Sequence, residues 1–382
     1  MEATSEPGIY KRKGEHGTHY LVRVEYPPDP TTGKRRRRSK TCRTLKEAKI
    51  ERAKWQTEID RGTALEPSKT TVAELIDRWL ADVAAHNVKP STLEDYAGTI
   101  NKHITPALGS VAIQKLTIDQ VQTFYAAKLR DGTSPRTVQL CHLRLSQALK
   151  QGVQWGLLPR NVAGFVKPPR VTYKRDDVWS VDEGRTFLAT AEDDSLHPFW
   201  LLALKTGMRR WELLGLRWRD LDLDRAMAHV RQSVIVYAGA PHIQTPKTAT
   251  AQRAVKLSPD VVAALRDHRT AWAARKLAAA EWQETDLIFC TRTGGPLNPN
   301  NIARAHEVIV KRSGVRRIRF HDLRHTHATW LLQSGQPVKV VSERLGHARV
   351  SITLDTYAAV LPDMQDRAVE AFDALMAAEH AS

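Results

Sequence analysis

Hydrophobic spacing divides the chain into three stretches of different period. From Thr71 to Leu158 the period is helical: Val72, Leu75, Ile76, Trp79 and Leu80 recur three and four residues apart. Ser91, after a proline, opens a second helix with Asp95 in its first turn. Leu116, Val121, Phe124 and Tyr125 mark a third, and SPRTVQLCHLRLSQALKQGVQWGLL reads as one long helix ending near Gly156. Four helices of this size predict a compact bundle. Upstream the period is two. Tyr20, Val22 and Val24 alternate with His19, Leu21, Arg23 and Glu25, as in a half-buried strand. Ile9–Lys13 reads as a partner strand. A Pro- and Gly-rich turn, YPPDPTTGK, leads into KRRRRSK as a third strand, and a helix from Thr44 to Ile59 closes the unit.

After Val178 the pattern is mixed. Ser180 and Glu183 form a capping box, and LHPFWLLALKTG reads as a helix ending at Gly207. Residues 227–236, 242–247 and 253–257 read as a small antiparallel sheet, and helices dominate from Pro259 onward. The expected fold is mainly α with small β-sheets, in three domains. Residues 1–65 form a three-stranded sheet plus helix, 70–160 a helical bundle, and 175–382 a mixed α+β domain. Two linkers join them, RGTALEPSKT and the basic, Pro-containing segment 160–176.

Charge narrows the partner class. Lys and Arg total 58 against 42 for Asp and Glu, a net of +16, and the first 65 residues alone carry 16 against 9. Such an excess suits a polyanion, with dense arginine pairing successive phosphates. The three cysteines, Cys42, Cys141 and Cys290, are scattered, which argues against a disulfide framework or a zinc finger. No run approaches a membrane span and the N-terminus has no signal-peptide core, so the expected compartment is the cytoplasm, at the nucleoid.

Four local sequences after Val178, TGMRRWELLGLRW, TPKTATAQRAVKL, HDLRHTHATWLL and LGHARVSITLDTY, precede an amphipathic tail bearing Val369, Phe372, Leu375 and Met376. In order and spacing they resemble the tyrosine recombinases, the phage integrase family. The two upstream units resemble that family's arm-binding and core-binding domains. The resemblance implies a catalytic set of Arg209, Lys247, His321, Arg324, His347 and Tyr357. Such a set suits phosphoryl transfer, because fixed cations must surround non-bridging oxygens whose charge grows in the transition state. Glu212, three residues after Arg209, would orient local groups. His321, one turn before Arg324, would bond the phosphate and help accept the tyrosine proton. His347 would bond the phosphate as well. Lys247 would protonate the leaving 5′ oxygen, and Tyr357 would form a 3′-phosphotyrosine bond that conserves energy without metal, ATP or other cofactor.

The expected DNA contacts are Lys34, Arg35, Arg36, Arg37 and Arg38 in the basic run, Arg136 and Arg144 in the long helix, and Arg170 and Lys174 in the linker. The resemblance further implies a homotetramer on core-type and arm-type DNA sites that passes through a Holliday junction. An excisionase and a DNA-bending protein would be accessory partners, and the tail would dock in cis or onto a neighbouring subunit.

Three other readings compete. His321 and His325 have the i, i+4 spacing of a zinc helix, but the required glutamate is Asp322 and Arg324 would sit beside the metal. A non-catalytic DNA regulator explains the charge but not the ordered Arg, Lys, His, Arg, His, Tyr series. A type IB topoisomerase shares the chemistry, but the basic N-terminal module favours recombination.

Overall fold

The computed structural model describes residues 2–14, 17–26, 36–60, 68–171, 178–244 and 252–357, together with 369, 370, 372, 373 and 376 of the tail. It divides near residue 172 into two compact units.

The first unit opens with an antiparallel sheet, β1 (Glu2–Ala3), β2 (Ile9–Gly14), β3 (Gly17–Tyr26) and β4 (Arg36–Cys42), paired in that order. The two-residue β1 makes this four strands rather than the expected three. So short a strand has no period to read. Register pairs Ile9 with Val22 and Val24 with Arg38. One face therefore carries Ile9, Val22, Val24 and Cys42, which bury against Ala48 and Trp55 of α1 (Leu45–Asp60).

The helical part comprises α2 (Val72–Trp79), α3 (Ala85–Asn87), α4 (Pro90–Thr99), α5 (Thr105–Leu108), α6 (Ile118–Arg130) and α7 (Pro135–Gln154). Thr71 and Thr117 start α2 and α6 with reciprocal capping boxes, and Ser134 followed by Pro135 starts α7. Val72, Leu75, Ile76, Val121, Phe124, Val138, Leu145 and Leu149 meet in a core separate from that of the sheet.

The second unit begins with α8 (Val181–Thr190), α9 (His197–Thr206) and α10 (Arg210–Leu214). Strands β5 (Leu221–Asp222), β6 (Met227–Val230) and β9 (Arg253–Lys256) form one sheet, while β7 (Ser233–Tyr237) and β8 (Ala240–Gln244) form a separate hairpin. The single sheet expected over 227–257 is thus two. The helices α11 (Pro259–Ala278), α12 (Pro299–Ser313), α13 (Asp322–Gln333), α14 (Val338–Leu345) and α15 (Val350–Tyr357) complete it. Trp179, Phe187, Phe199, Trp200, Phe289 and Phe320 build an aromatic core around α9, whose residues Phe199–Leu204 are all buried. Val369, Phe372 and Met376 of the tail are exposed, and Leu375 lies outside the described residues.

Helix α13 packs on α9 yet carries buried Asp322, Arg324, Thr326, His327 and Thr329. Burying polar groups demands partners. Asp322 accepts two bonds from the Arg319 guanidinium, and Thr326 Oγ1 donates to Asp322 O while accepting from Trp179 N. This helix is shaped by a site, not by amphipathic packing alone.

Candidate active site

Helix ends converge to build the site. Helix α9 stops at Gly207 and α14 at Gly346, both in the left-handed region with φ of 64° and 67°. A Cβ at Gly207 would lie 2.7 Å from His327 Cδ2, and one at Gly346 would lie 2.9 Å from the Arg253 side chain. Glycine is required at both corners by conformation and by space. These corners turn Gly207 O and Leu345 O inward, where both accept from Arg324, through Nη1 and Nη2 at 2.7 Å each. Arg324 is 4 % exposed. Burial and the charge of Arg209 lower its pKa, and a guanidinium remains protonated in any case.

Arg209 caps α10. Its backbone N–H donates to Glu212 Oε2 and its Nη1 to Glu212 Oε1, both at 2.8 Å, and its Nη2 reaches Gly346 O at 3.4 Å. Glu212 is buried. Burial alone would raise its pKa, but the hydrogen bonds and charge of Arg253, followed by the charge of Arg209, hold it at about 2. Glu212 is therefore ionised at neutral pH. Arg253 from β9 approaches the same carboxylate from the other side, through Nη1 at 3.0 Å and Nη2 at 2.9 Å.

His321 stands at the N-terminal end of α13, one turn before Arg324, with part of its surface open to solvent. Desolvation and the charges of His325, Arg324 and Arg209 lower its pKa. His347 follows Gly346 and shares a 2.7 Å hydrogen bond with Thr353 Oγ1 on α15. Desolvation, then Arg324, Arg209 and Arg253, lower its pKa to about 4. The ring is neutral at pH 7 and still offers one N–H.

Tyr357 ends α15 and is 3 % exposed. Its hydroxyl lies 2.8 Å from His325 Nδ1. Burial raises its pKa to about 12, against the opposing charge of Arg324. The ring that meets the phenol is His325, not His321, which is one imidazole further away at 5.2 Å between centroids. Sequence spacing had offered His325 only as a zinc ligand. Among the described residues no group of three or more His, Cys, Asp or Glu side chains is arranged to hold a metal. Lys247 lies outside the described residues.

The expected DNA contacts are less uniform. Lys34, Arg35 and Lys174 lie outside the described residues, and Arg36 is described only through its backbone pairing with Tyr26. Arg37 is exposed on the sheet face turned away from α1. Arg38 is on the opposite face, 4.4 Å above the Trp55 ring and paired with Glu58 at 3.3 Å. Its neighbourhood is that of a core-covering residue, because strand alternation sends adjacent arginines to opposite faces. Arg136 bonds Gln139 at the start of α7. Arg144 stacks 3.6 Å over Tyr96, and Arg170 is exposed.

Comparison with known proteins gives the relatives of the whole chain. The family model for the phage integrase family matches residues 181–364, and that for the phage integrase N-terminal SAM-like domain matches residues 71–129. A tyrosine recombinase XerC-like protein of Caldanaerobacter subterraneus subsp. tengcongensis is 28 % identical, covering 96 % of this chain and 98 % of that one. The ICEBs1 integrase of Bacillus subtilis is also 28 % identical, covering 96 % and 99 %. Among solved structures, the Tn1549 transposon integrase in complex with a circular intermediate DNA matches with a TM-score of 0.69 at 20 % identity, over 79 % of this chain and 99 % of that chain. The lambda integrase tetramer bound to a Holliday junction matches with a TM-score of 0.59 at 20 % identity, over 93 % and 96 %. With two integrase models spanning well over half its length and relatives aligned nearly end to end, the chain belongs to the phage integrase family of tyrosine recombinases.

Proposed function

We propose that this protein is a site-specific DNA recombinase that integrates or excises a mobile element, with Tyr357 as its nucleophile. Tyr357 Oη attacks the scissile phosphorus, a 3′-phosphotyrosine forms, and the 5′ oxygen leaves with a proton from Lys247. Arg209 and Arg324 hold the non-bridging oxygens, assisted by His321 and His347. The 5′ hydroxyl of the partner duplex then attacks the phosphotyrosine and releases the phenol. One phosphoester bond is made for each one broken at every step, so neither ATP nor metal is required. The observation that carries this reading is the convergence of the ends of α9 and α14 on buried Arg324, with half-buried Arg209 and His347 around it and Tyr357 within reach of its charge.

The resting phenol is buried, protonated at neutral pH and bonded to His325. Attack therefore requires α15 to present it to the phosphate when DNA binds, with His325 or His321 receiving the proton. The Tn1549 and lambda relatives are seen on DNA, the latter as a tetramer on a Holliday junction. We extend the same assembly to this chain. Residues 70–160 and 175–382 would bind the core site and residues 1–65 an arm site, with an excisionase and a DNA-bending protein setting direction. No described helix is long and apolar enough to cross a membrane. The proposed action on DNA would take place at the nucleoid.

Trapping on a nicked suicide duplex, followed by peptide mapping, tests the reading. The expected result is a DNA adduct on the peptide containing Tyr357 and none with Tyr357→Phe. An adduct on another residue rejects the assignment.

A further inference from the structure

We propose that Arg253 is a positioning residue for DNA cleavage, fixing Glu212 and through it the orientation and free charge of Arg209. The inference rests on the reading of Arg209 as a phosphate clamp and Tyr357 as the nucleophile.

The Arg253 side chain is 7 % exposed. Its fork spans both oxygens of Glu212 at 3.0 and 2.9 Å, and its Nε donates to Arg344 O at 2.7 Å. Arg209 donates to the same two oxygens, through Nη1 to Oε1 and backbone N–H to Oε2. Each carboxylate oxygen thus takes one bond from each arginine, and Glu212 has no freedom to rotate. Arg253 also fills the space over Gly346, where a Cβ would lie 2.9 Å from its Cδ and Nη1. Gly346 O is in turn the outer contact of Arg209, at 3.4 Å. Arg253 therefore sets both surfaces against which the Arg209 guanidinium rests.

Charge gives the second half of the argument. One carboxylate is shared between two guanidinium groups, so the trio keeps a net charge of +1. Without Arg253, Glu212 would pair with Arg209 alone, and the scissile phosphate would meet a neutral ion pair. Lysine cannot reproduce this geometry, because one ammonium cannot span two oxygens in a plane and also reach the Arg344 carbonyl. Arg344 is itself fixed, with Nε bonded to His327 Nε2 at 3.1 Å and Nη2 donating to Lys205 O at 2.9 Å. Arg253 follows Lys247 by six residues and opens the strand β9. Its anchorage ties the start of β9 to the corner that carries His347.

A buried ion pair of purely structural value would show many of the same contacts. The two roles separate on a substrate whose scissile linkage carries no charge. The experiment uses the full chain and a core duplex selected by binding from a random pool. The duplex is nicked and built with either a phosphodiester or a methylphosphonate at the scissile position. Single-turnover adduct formation is followed at saturating protein, alongside duplex affinity and thermal melting.

On the phosphodiester, Arg253→Ala is expected to slow adduct formation by on the order of 100-fold with duplex affinity retained. On the methylphosphonate the deficit should shrink to below about tenfold, because a neutral linkage places less demand on the charge of Arg209. Arg253→Lys should fall between, and it carries the test if the alanine variant does not fold. Equal deficits on both linkages, or no deficit, would overturn the proposal. Failure of the unaltered chain to form any adduct would instead remove the recombinase reading, and this inference with it.

Discussion

At the residue scale, the groups named by sequence and those named by geometry overlap only in part. Arg209, Arg324, His347 and Tyr357, which flanking residues mark out in the sequence, lie within reach of one another's charge in the fold. His325 was not legible in the sequence, because its spacing from His321 pointed to a metal and only tertiary folding brings it to the phenol. Arg253 was not, because its meaning depends on Glu212 across the fold. Tyr357→Phe removes one hydroxyl while keeping the ring packed against Leu332, Val341 and Leu345. It should bind DNA normally, form no adduct and lose about 1 kcal/mol of stability, the value of one hydrogen bond; loss of DNA binding would refute this.

Another residue-scale prediction concerns pH. His306 is 1 % exposed, lies among Trp179, Phe187, Trp200 and Phe320, and its Nε2 has no hydrogen-bond partner among the described residues. Burial lowers its pKa to about 4 from the ordinary 6.5. Between those values the unfolded chain binds a proton that the folded chain refuses, so stability falls as pH drops from 6.5 towards 4. His321, His327 and His347 shift the same way. His306→Phe should therefore flatten part, not all, of the fall in melting temperature between pH 7 and 5; an unchanged slope would show that this ring does not contribute.

At the element scale, periodicity located strands and helices well where one face is buried. Strands β2 to β4 and helices α1 and α7 match the alternation and the caps of the sequence. The reading failed where the period carries no information. Nothing in the period of residues 227–257 separates a strand pairing with β9 from one turning back in its own hairpin, because β6 and β7 are both short and half-buried. Helix α13 has almost no amphipathic stripe because its polar side chains are turned inward. Its neighbours are set instead by close approach. A Cβ at Gly184 on α8 would lie 2.4 Å from Cη2 of Trp330 on α13. Trp330 is held in place by its bond from Nε1 to Trp179 O at 2.9 Å. Gly184→Val should thus separate α8 from α13 and lower stability by about 1–3 kcal/mol, as overpacking does. Thermal melting checks this, and a neutral result would mean that Trp330 can swing aside.

At the scale of the whole molecule, charge and modularity make a joint prediction. The sheet with α1 has its own core of Ile9, Val22, Val24, Cys42, Ala48 and Trp55, distinct from the core of the helical bundle. Removing residues 1–65 therefore takes away no residue of the bundle's core. Those residues carry 16 basic and 9 acidic side chains, a net of +7 out of the chain's +16. If they hold a separate DNA site, a chain beginning at residue 66 should bind the core duplex with nearly unchanged affinity and still form the Tyr357 adduct. It should lose the second, arm-type duplex altogether. Salt dependence supplies the stricter check. Each phosphate neutralised contributes about −0.9 to the slope of log affinity against log salt. The core-duplex slope should survive truncation, while the slope for a duplex carrying both sites should flatten towards it. A core-duplex slope that falls with truncation would mean that the N-terminal arginines act on the core site itself, and the arm-site assignment would fail.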